Sequence, residues 1–459
     1  MDSAQFREFG KAAVDLIADY LDNVRDRSVL PDVEPGYLHG LIPDRLPDKG
    51  DKWEDVLADI EKTIMPGMTH WQSPRCHAYY PAASSYPSII GEMLAAGFGN
   101  LGFSWITSPV CTELEVAMMN WLGKLLNLPE DFLFSEGGRG GGVIQGSASE
   151  ATVIALLAAK GRTIRKICQN TMNSNENDIR AKLVGYTSDQ ANSSVEKAGL
   201  VGSMPIRILP SNEKGELAAD TLREAVEVDI ANNLIPCFVV AAFGSTGTCS
   251  IDDLESIGPV CNKFDIWLHV DAAYAGAALM LPEYKHLAAG LKYADSFDFN
   301  LHKWLLVNFD CSAMWVKDSS HLVQSLSVDR IYLKHQRQGQ TLKRFRALKV
   351  WITLRVYGVD GLQAFLEKVK NDPRFELSVP PRMGLVCFRL KGEDDVTKML
   401  YDRLMARRKI FTVIATAQNK LIIRFCINSQ LTEKKDIEFA WSEISEQAMI
   451  VLNNNEIDF

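Results

Sequence analysis

Lys303 stands inside an otherwise apolar run, NLHKWLLVNFD at 300–310. A lysine so placed either snorkels its ammonium to water or sits in a pocket, where burial lowers its pKa and makes the amine a nucleophile for carbonyl carbon. Upstream, His269 and Asp271 lie towards the end of the apolar run IWLHVDAAYAG at 266–276. A buried carboxylate is costly unless a positive group or backbone donors meet it, and open parallel sheets bind ligands at their strand ends. Further upstream, VIQGSASEATVIALLAAK at 143–160 places Ser147 three residues before Glu150, the capping-box spacing that opens a helix. Ala148 and Ser149 there offer first-turn N–H groups, a hydroxyl and the positive end of a helix dipole, which suit a phosphate; the plainer reading is that Ser147 only caps.

Taken in order, a phosphate cradle, a strand-end acid and a lysine are what pyridoxal 5′-phosphate needs. Its phosphate, its ring nitrogen and its aldehyde each require a different partner. An acid keeps the ring nitrogen protonated so that the ring can accept electrons, and a lysine stores the aldehyde until an amine displaces it.

The elements that would position these groups follow from patterning. IPCFVVAAFG (235–244) and IWLHVDAAYAG read as buried strands, with DDLESIGPVCNKF between them as a crossover helix, which makes a parallel βαβ unit. The stretch SFDFNLHKWLLVNFDCSAMWV breaks its apolar pattern at His302 and Lys303. Beyond about Leu348, strands GLVCFRL and LIIRFCI alternate with helices DDVTKMLYDRLMARR and KKDIEFAWSEISEQAMIVL, the pattern of a smaller α+β domain. At the other end Phe6, Phe9, Ala13, Leu16, Ile17, Tyr20 and Val24 recur at helical spacing. A Pro- and Asp-rich segment from Leu30 to Lys52 follows, an extended arm better explained by a partner subunit than by its own core. The expected organisation is a helical arm over 1–85, a large cofactor-binding α/β domain over 86–347 and a small domain over 348–459.

Composition narrows the function. The chain has 459 residues, 49 Lys and Arg against 58 Asp and Glu, and a formal charge of −9. An acidic balance argues against nucleic acid, whose phosphates demand clustered cations. Acids recur through the first residues, so no signal peptide is expected, and no apolar run reaches the length of a membrane span. Nine cysteines without metal-ligand spacing suit reduced core thiols in the cytosol, with no metal site.

The chain resembles the aromatic L-amino-acid decarboxylase family, the group II pyridoxal-phosphate decarboxylases, through HAYYPAASSYPSIIGEML, GFSWITSPVCTELE, GGGVIQGSASEAT, WLHVDAAYAG, FNLHKWLLVNFDCSAMW and VDRIYLKH. The resemblance implies the aspartate-aminotransferase-like fold (fold type I of the pyridoxal-phosphate enzymes): an α/β structure with a mainly parallel central sheet, an N-terminal helical arm and a small C-terminal α+β domain. It implies an obligate homodimer with its active site at the subunit interface. It assigns Lys303 to the aldehyde and Asp271 to the ring nitrogen. Ala148, Ser149, Asn300 and His302 match the phosphate positions, and Thr246 and Ala273 match residues beside the ring. Trp71, Tyr79, Tyr80, Pro81, Leu101 and Phe103 match the substrate pocket, and Tyr332 matches the tyrosine of a covering loop that gives the substrate carbon a proton.

One departure bears on the reaction. The family's decarboxylases read SDQAHSS, with the histidine stacked over the cofactor, where this chain reads SDQANSS, with Asn192. Imidazole titrates near neutral pH and can relay a proton; a carboxamide offers hydrogen bonds and no titration. Asparagine here is similar to the insect 3,4-dihydroxyphenylacetaldehyde synthases of the family. That likeness implies oxidative chemistry on L-dopa, with O2 and water consumed and 3,4-dihydroxyphenylacetaldehyde, CO2, NH3 and H2O2 produced in the setting of cuticle cross-linking. The alternative is a conventional decarboxylase that makes the amine from dopa or tyrosine, slowed by the asparagine. The chain is also shorter than the family pattern after Gln340 and after Lys370, and the first missing stretch includes positions that help select among aromatic amino acids.

Overall fold

The computed structural model describes residues 1–102, 104–171, 174–326, 345–368, 379–391 and 393–455. Seven strands form one sheet: β1 (Gly141–Gln145), β2 (Leu183–Ser188), β3 (Ile206–Leu209), β4 (Ile235–Ala242), β5 (Trp267–Asp271), β6 (Ser296–Asn300) and β7 (Ser312–Val316). Their order is β1-β7-β6-β5-β4-β2-β3. β6, β5, β4, β2 and β3 pair in parallel, while β7 runs antiparallel to both β6 and β1. β1 therefore points the same way as those five. Strands of this kind are covered on both faces and read as continuous apolar runs; every residue of β2, β6 and β7 is buried.

The βαβ unit expected over 235–276 is present. Its helix, Leu254–Lys263, starts where the Asp253 side chain accepts from Glu255 N at 3.1 Å, and β4 and β5 are parallel neighbours. The second strand is shorter than its apolar run, because β5 stops at Asp271. Gly276 N turns back to Ala272 O at 2.9 Å, and the chain continues as a 3-10 helix, Ala275–Met280, with every residue buried. An apolar run that leaves a sheet edge and stays buried reads like strand, and only the packing distinguishes the two.

The helix Ala148–Asn170 lies on the sheet through Ala151, Ala155, Leu156 and Ala159, which pack with Phe238, Val240, Trp267 and Met314. Small residues on that stripe let the helix approach closely, and Leu156 fills the remaining space. Removing the Leu156 side chain to Ala would cost about 2–5 kcal/mol, the usual range for a fully buried leucine.

Four further strands, β8 (Val379–Arg382), β9 (Leu385–Phe388), β10 (Val413–Ala417) and β11 (Lys420–Cys426), form a small sheet in the order β10-β11-β9-β8. With the helices Asp394–Arg407 and Lys434–Asn455 this is the C-terminal α+β pattern expected from the sequence. By internal packing the chain forms two compact units, residues 1–81 with 388–415 and 420–459, and residues 82–387 with 416–419. The division at 85 and 347 follows chain order, whereas these units are discontinuous.

In the first unit, the N-terminal helix Ser3–Asn23 has a reciprocal cap between Asp2 and Gln5. None of its residues is buried, and Phe6 is 66% exposed. Arg25 just beyond it donates to both carboxylate oxygens of Asp436, at 2.9 and 3.1 Å, and ties this end to the helix Lys434–Asn455. The segment expected to be an extended arm contains one short turn, Tyr37–Gly40, between Leu30 and Lys52. All nine cysteines are free thiols, eight of them buried. No described helix is long and apolar enough to cross a membrane.

Candidate active site

Because β1, β2, β4, β5 and β6 point one way, the segments that follow them emerge at one edge of the sheet, where such sheets bind ligands. The residues expected around the cofactor all lie there. Ala148 and Ser149 follow β1, Asn192 follows β2, Thr246 follows β4, Asp271 and Ala273 end β5, and Asn300, His302 and Lys303 end β6.

Ser147 caps the helix Ala148–Asn170, its Oγ accepting from Glu150 N at 3.2 Å. In a capping box Glu150 would return to the Ser147 N–H. Its carboxylate instead accepts from Gly146 N at 2.9 Å. Ala148 N donates to Asn300 Oδ1 at 3.1 Å, so two of the expected phosphate positions touch each other. Ser149 is exposed in the same first turn, where helix geometry supplies its N–H with no carbonyl.

His302 is buried, and its Nδ1 accepts from Cys311 N at 2.8 Å. A neutral ring that accepts at Nδ1 carries its proton on Nε2. Burial, then the charge of Lys303, pushes the His302 pKa down to about 4, so at neutral pH it is an uncharged donor through Nε2. Asp271 Oδ1 accepts from Ala273 N at 3.0 Å, which fixes the orientation of the carboxylate. Lys303 is half-buried in the short turn Leu301–Trp304. Asp271 and Lys303 share one neighbourhood, since both act electrostatically on Asp298, the residue beside Asp271 on β6.

Asn192 is held at both ends of its carboxamide. Nδ2 donates to Thr246 Oγ1 at 2.9 Å and Oδ1 accepts from Ser194 N at 2.9 Å, at the start of the helix Ser194–Gly202. The pair meets because β2 and β4 are neighbours in the sheet although β3 separates them in sequence. The reversal that carries Thr246 needs glycine at 244, where φ is +94° and a Cβ would lie 2.4 Å from Ala275 Cβ.

The expected substrate-pocket residues are divided between the units. In the first, Trp71 and Tyr79 are in tilted contact at 5.9 Å and each is T-shaped to Phe411, at 6.2 and 6.0 Å. Tyr80 is buried beneath the Arg424 guanidinium, 4.9 Å from its ring centre, and Pro81 O accepts from Asn428 Nδ2 at 2.9 Å. Leu101, in the second unit, is 64% exposed. Phe103 and Tyr332 lie outside the described residues, as do the joins after Gln340 and Lys370.

Two charged groupings near this edge escape the sequence reading. Arg346 pairs with Asp310 at 2.8 Å, and both lie against Gly146, the residue that receives Glu150. On β5 and β6, His269 Nε2 lies 3.2 Å from Asp298 Oδ1 with both side chains fully buried. Asp298, inside the apolar strand SFDFN, carries the same sequence signal as Asp271. Among the described residues no three His, Cys, Asp or Glu side chains gather in a way that could hold a metal.

A family model described as the pyridoxal-dependent decarboxylase conserved domain matches residues 35–391. The chain belongs to the pyridoxal-dependent decarboxylase family. Within the family it is 52% identical to a 3,4-dihydroxyphenylacetaldehyde synthase of Aedes aegypti, over 98% of this chain and 91% of that protein. It is 49% identical to an aromatic-L-amino-acid decarboxylase of Manduca sexta, over 99% and 94% of the two chains. The crystal structure of an Oryza sativa enzyme abbreviated TDC, with PLP and tryptamine, superposes with a TM-score of 0.90 at 32% identity, covering 98% of each chain. The cofactor of this decarboxylase is pyridoxal 5′-phosphate.

The residues at the sheet edge fit that cofactor. The exposed first turn at Ser149 and the neutral His302 donor suit an anionic phosphate. An oriented carboxylate and an amine share the adjoining strand ends, as a ring nitrogen and an aldehyde on one small molecule require.

Proposed function

We propose that the protein is a 3,4-dihydroxyphenylacetaldehyde synthase. In this reading L-dopa, O2 and water become 3,4-dihydroxyphenylacetaldehyde, CO2, NH3 and H2O2. The dioxygen takes two electrons from the substrate, and water supplies the aldehyde oxygen as ammonia leaves. The observation that carries the reading is Asn192, with both ends of its carboxamide engaged by Thr246 and Ser194. High identity to proteins named for this product supports it.

When bound, pyridoxal phosphate supplies the electron sink for the pair left behind by the departing carboxylate. Ser149 and the Nε2–H of His302 bind the phosphate. Asp271, oriented by the Ala273 N–H, holds the proton of the ring nitrogen in place, and Lys303 tethers the aldehyde. Asn192 has one N–H and one lone pair left to hold the ring or dioxygen, and it has no proton to give. The electron-rich substrate carbon therefore meets no titrating acid at this position, and dioxygen competes for the electron pair. Tyr332 is assigned the proton of the slower amine-forming branch.

The same reading includes a cytosolic homodimer whose active site lies at the subunit interface, where the exposed apolar stripe of the helix Ser3–Asn23 finds its cover. Its biological setting is catechol cross-linking of cuticle, and Trp71, Tyr79, Tyr80, Pro81, Leu101 and Phe103 are assigned to recognition of the aromatic amino acid by their match to the family. The test is stoichiometry with L-dopa in air. Equimolar O2 consumption and CO2 release, with aldehyde and peroxide, is expected. Dopamine as the main product with little O2 consumed would replace the proposal with simple decarboxylation, the activity of the Manduca sexta relative's name.

A further inference from the structure

His269, Asp271, Ser296 and Asp298 lie on one face of the sheet. Residues two apart on a strand share a face, and in register His269 faces Ser296 and Asp271 faces Asp298. Asp298 is fully buried beside the Ser312 hydroxyl, and its Oδ1 and His269 Nε2, 3.2 Å apart, approach each other without meeting hydrogen-bond geometry as they stand. Its register neighbour on the other side is Met314 of β7. The fully buried residues of the helix Ala148–Asn170 are uncharged, its Arg162 packs over Trp267 and pairs with Asp295, and the 3-10 helix Ala275–Met280 carries no ionisable group. The titratable and charged groups around Asp298 are thus Asp271, His269 and Lys303, with the Ser312 hydroxyl beside them.

Two adjacent carboxylates on a dry strand edge cannot both ionise cheaply. Asp271 has a backbone N–H and partial exposure to stabilise its charge; Asp298 has neither. His269 offers the natural resting place for a proton held by Asp298. Its Nδ1 lies 2.8 Å from Ser296 Oγ, and that oxygen accepts from Trp267 Nε1 at 2.8 Å. With Nδ1–H directed at Ser296, Nε2 is a bare lone pair 3.2 Å from Asp298 Oδ1. Burial pushes the His269 pKa down to about 4, which keeps the ring neutral. Burial first, and then the Asp271 charge, raise the Asp298 carboxyl well above the ordinary range.

We propose that Asp298 is a positioning residue of the cofactor site, a carboxylic acid protonated at rest that donates to His269 Nε2 and leaves Asp271 as the single negative charge on these strand ends. The pair acts through Asp271. A neutral neighbour leaves Asp271 the one carboxylate offered to the ring nitrogen, whereas an ionised one would set a second negative charge beside it. The inference rests on Asp271 serving the ring nitrogen, and the products formed from L-dopa do not enter its test.

The experiment compares the holoenzyme with Asp298→Asn, which keeps the size and an N–H donor but can never be charged. The infrared spectrum of the wild type above neutral pH should contain a protonated carboxylic acid band that shifts in D2O and disappears in Asp298→Asn. The pH midpoint of the bound cofactor's visible absorbance should be the same in both proteins. A displacement by about one unit or more, the size expected when a neighbouring charge is removed, would overturn the proposal, as would an infrared difference with no acid band. Should Asp298→Asn fail to fold, the variant Glu115→Gln/Asp252→Asn/Asp295→Asn removes the other raised carboxyls among the described residues. An acid band that persists above pH 8 in that protein supports Asp298, and its absence refutes it.

Discussion

Replacing Asn192 with histidine tests the link between one side chain and the fate of the substrate's electrons. The ratio of aldehyde to amine equals the rate of electron transfer to O2 divided by the rate of protonation. A positioned acid accelerates proton transfer by about 10²–10⁴-fold. Even the lower figure would turn an aldehyde excess of about ten to one into an amine excess of about ten to one, and would lower O2 consumed per CO2 from about 0.9 to about 0.1. The structural cost is small. Histidine forfeits the acceptor for Ser194 N and the donor to Thr246 Oγ1, two hydrogen bonds together worth about 1–3 kcal/mol, and neither belongs to the sheet. An oxygen electrode with simultaneous quantification of dopamine and aldehyde measures the ratio, and the absorbance of the bound cofactor controls for its retention. A ratio unchanged from wild type, with the cofactor fully bound, would refute the reasoning and assign control of the branch to another residue.

Lys303→Ala should abolish turnover and leave the cofactor bound only non-covalently; if borohydride still fixes it to the chain, another amine is the tether. Ser147→Ala removes the cap on Glu150 N and should weaken the helix start by about 1 kcal/mol, which appears as roughly a fivefold rise in the Kd for pyridoxal phosphate measured by equilibrium dialysis. An unchanged Kd would mean that the first turn does not depend on its cap to bind phosphate. Glu115 is buried against Ile144 N and its pKa is pushed up by burial to about 8, from an unfolded value of 4.5. A raised carboxyl stabilises the fold fully below its unfolded pKa and loses that contribution as pH rises to its folded pKa. Glu115→Gln, which can still accept from Ile144 N, should therefore show a smaller fall in thermal stability between pH 4.5 and 8 than the wild type; parallel pH profiles would show that Glu115 is ionised in the folded protein.

How far the site could be read from the sequence depends on whether its signal is local. Lys303 and Asp271 are polar residues in apolar runs, and Ser147 announces a helix start, so each marks itself. The order of β4, crossover helix and β5 is also local, because the spacing leaves one plausible pairing. What no local pattern shows is adjacency across strands. Asn192 and Thr246 meet only because β2 and β4 are neighbours while β3 is sent to the edge, and His269 meets Asp298 only through the register of β5 on β6. Glu150 turning to Gly146 rather than Ser147, and Arg346 reaching back to Asp310, are likewise set by packing. The residue type at 192 thus says that no titrating group stands there, while its two hydrogen bonds say why it is not free to move. A carboxamide engaged at both ends takes its orientation from the segments after β2 and β4, so on the proposed reading the absence of a titrating group at 192 is tied to the side-by-side placing of those two strands.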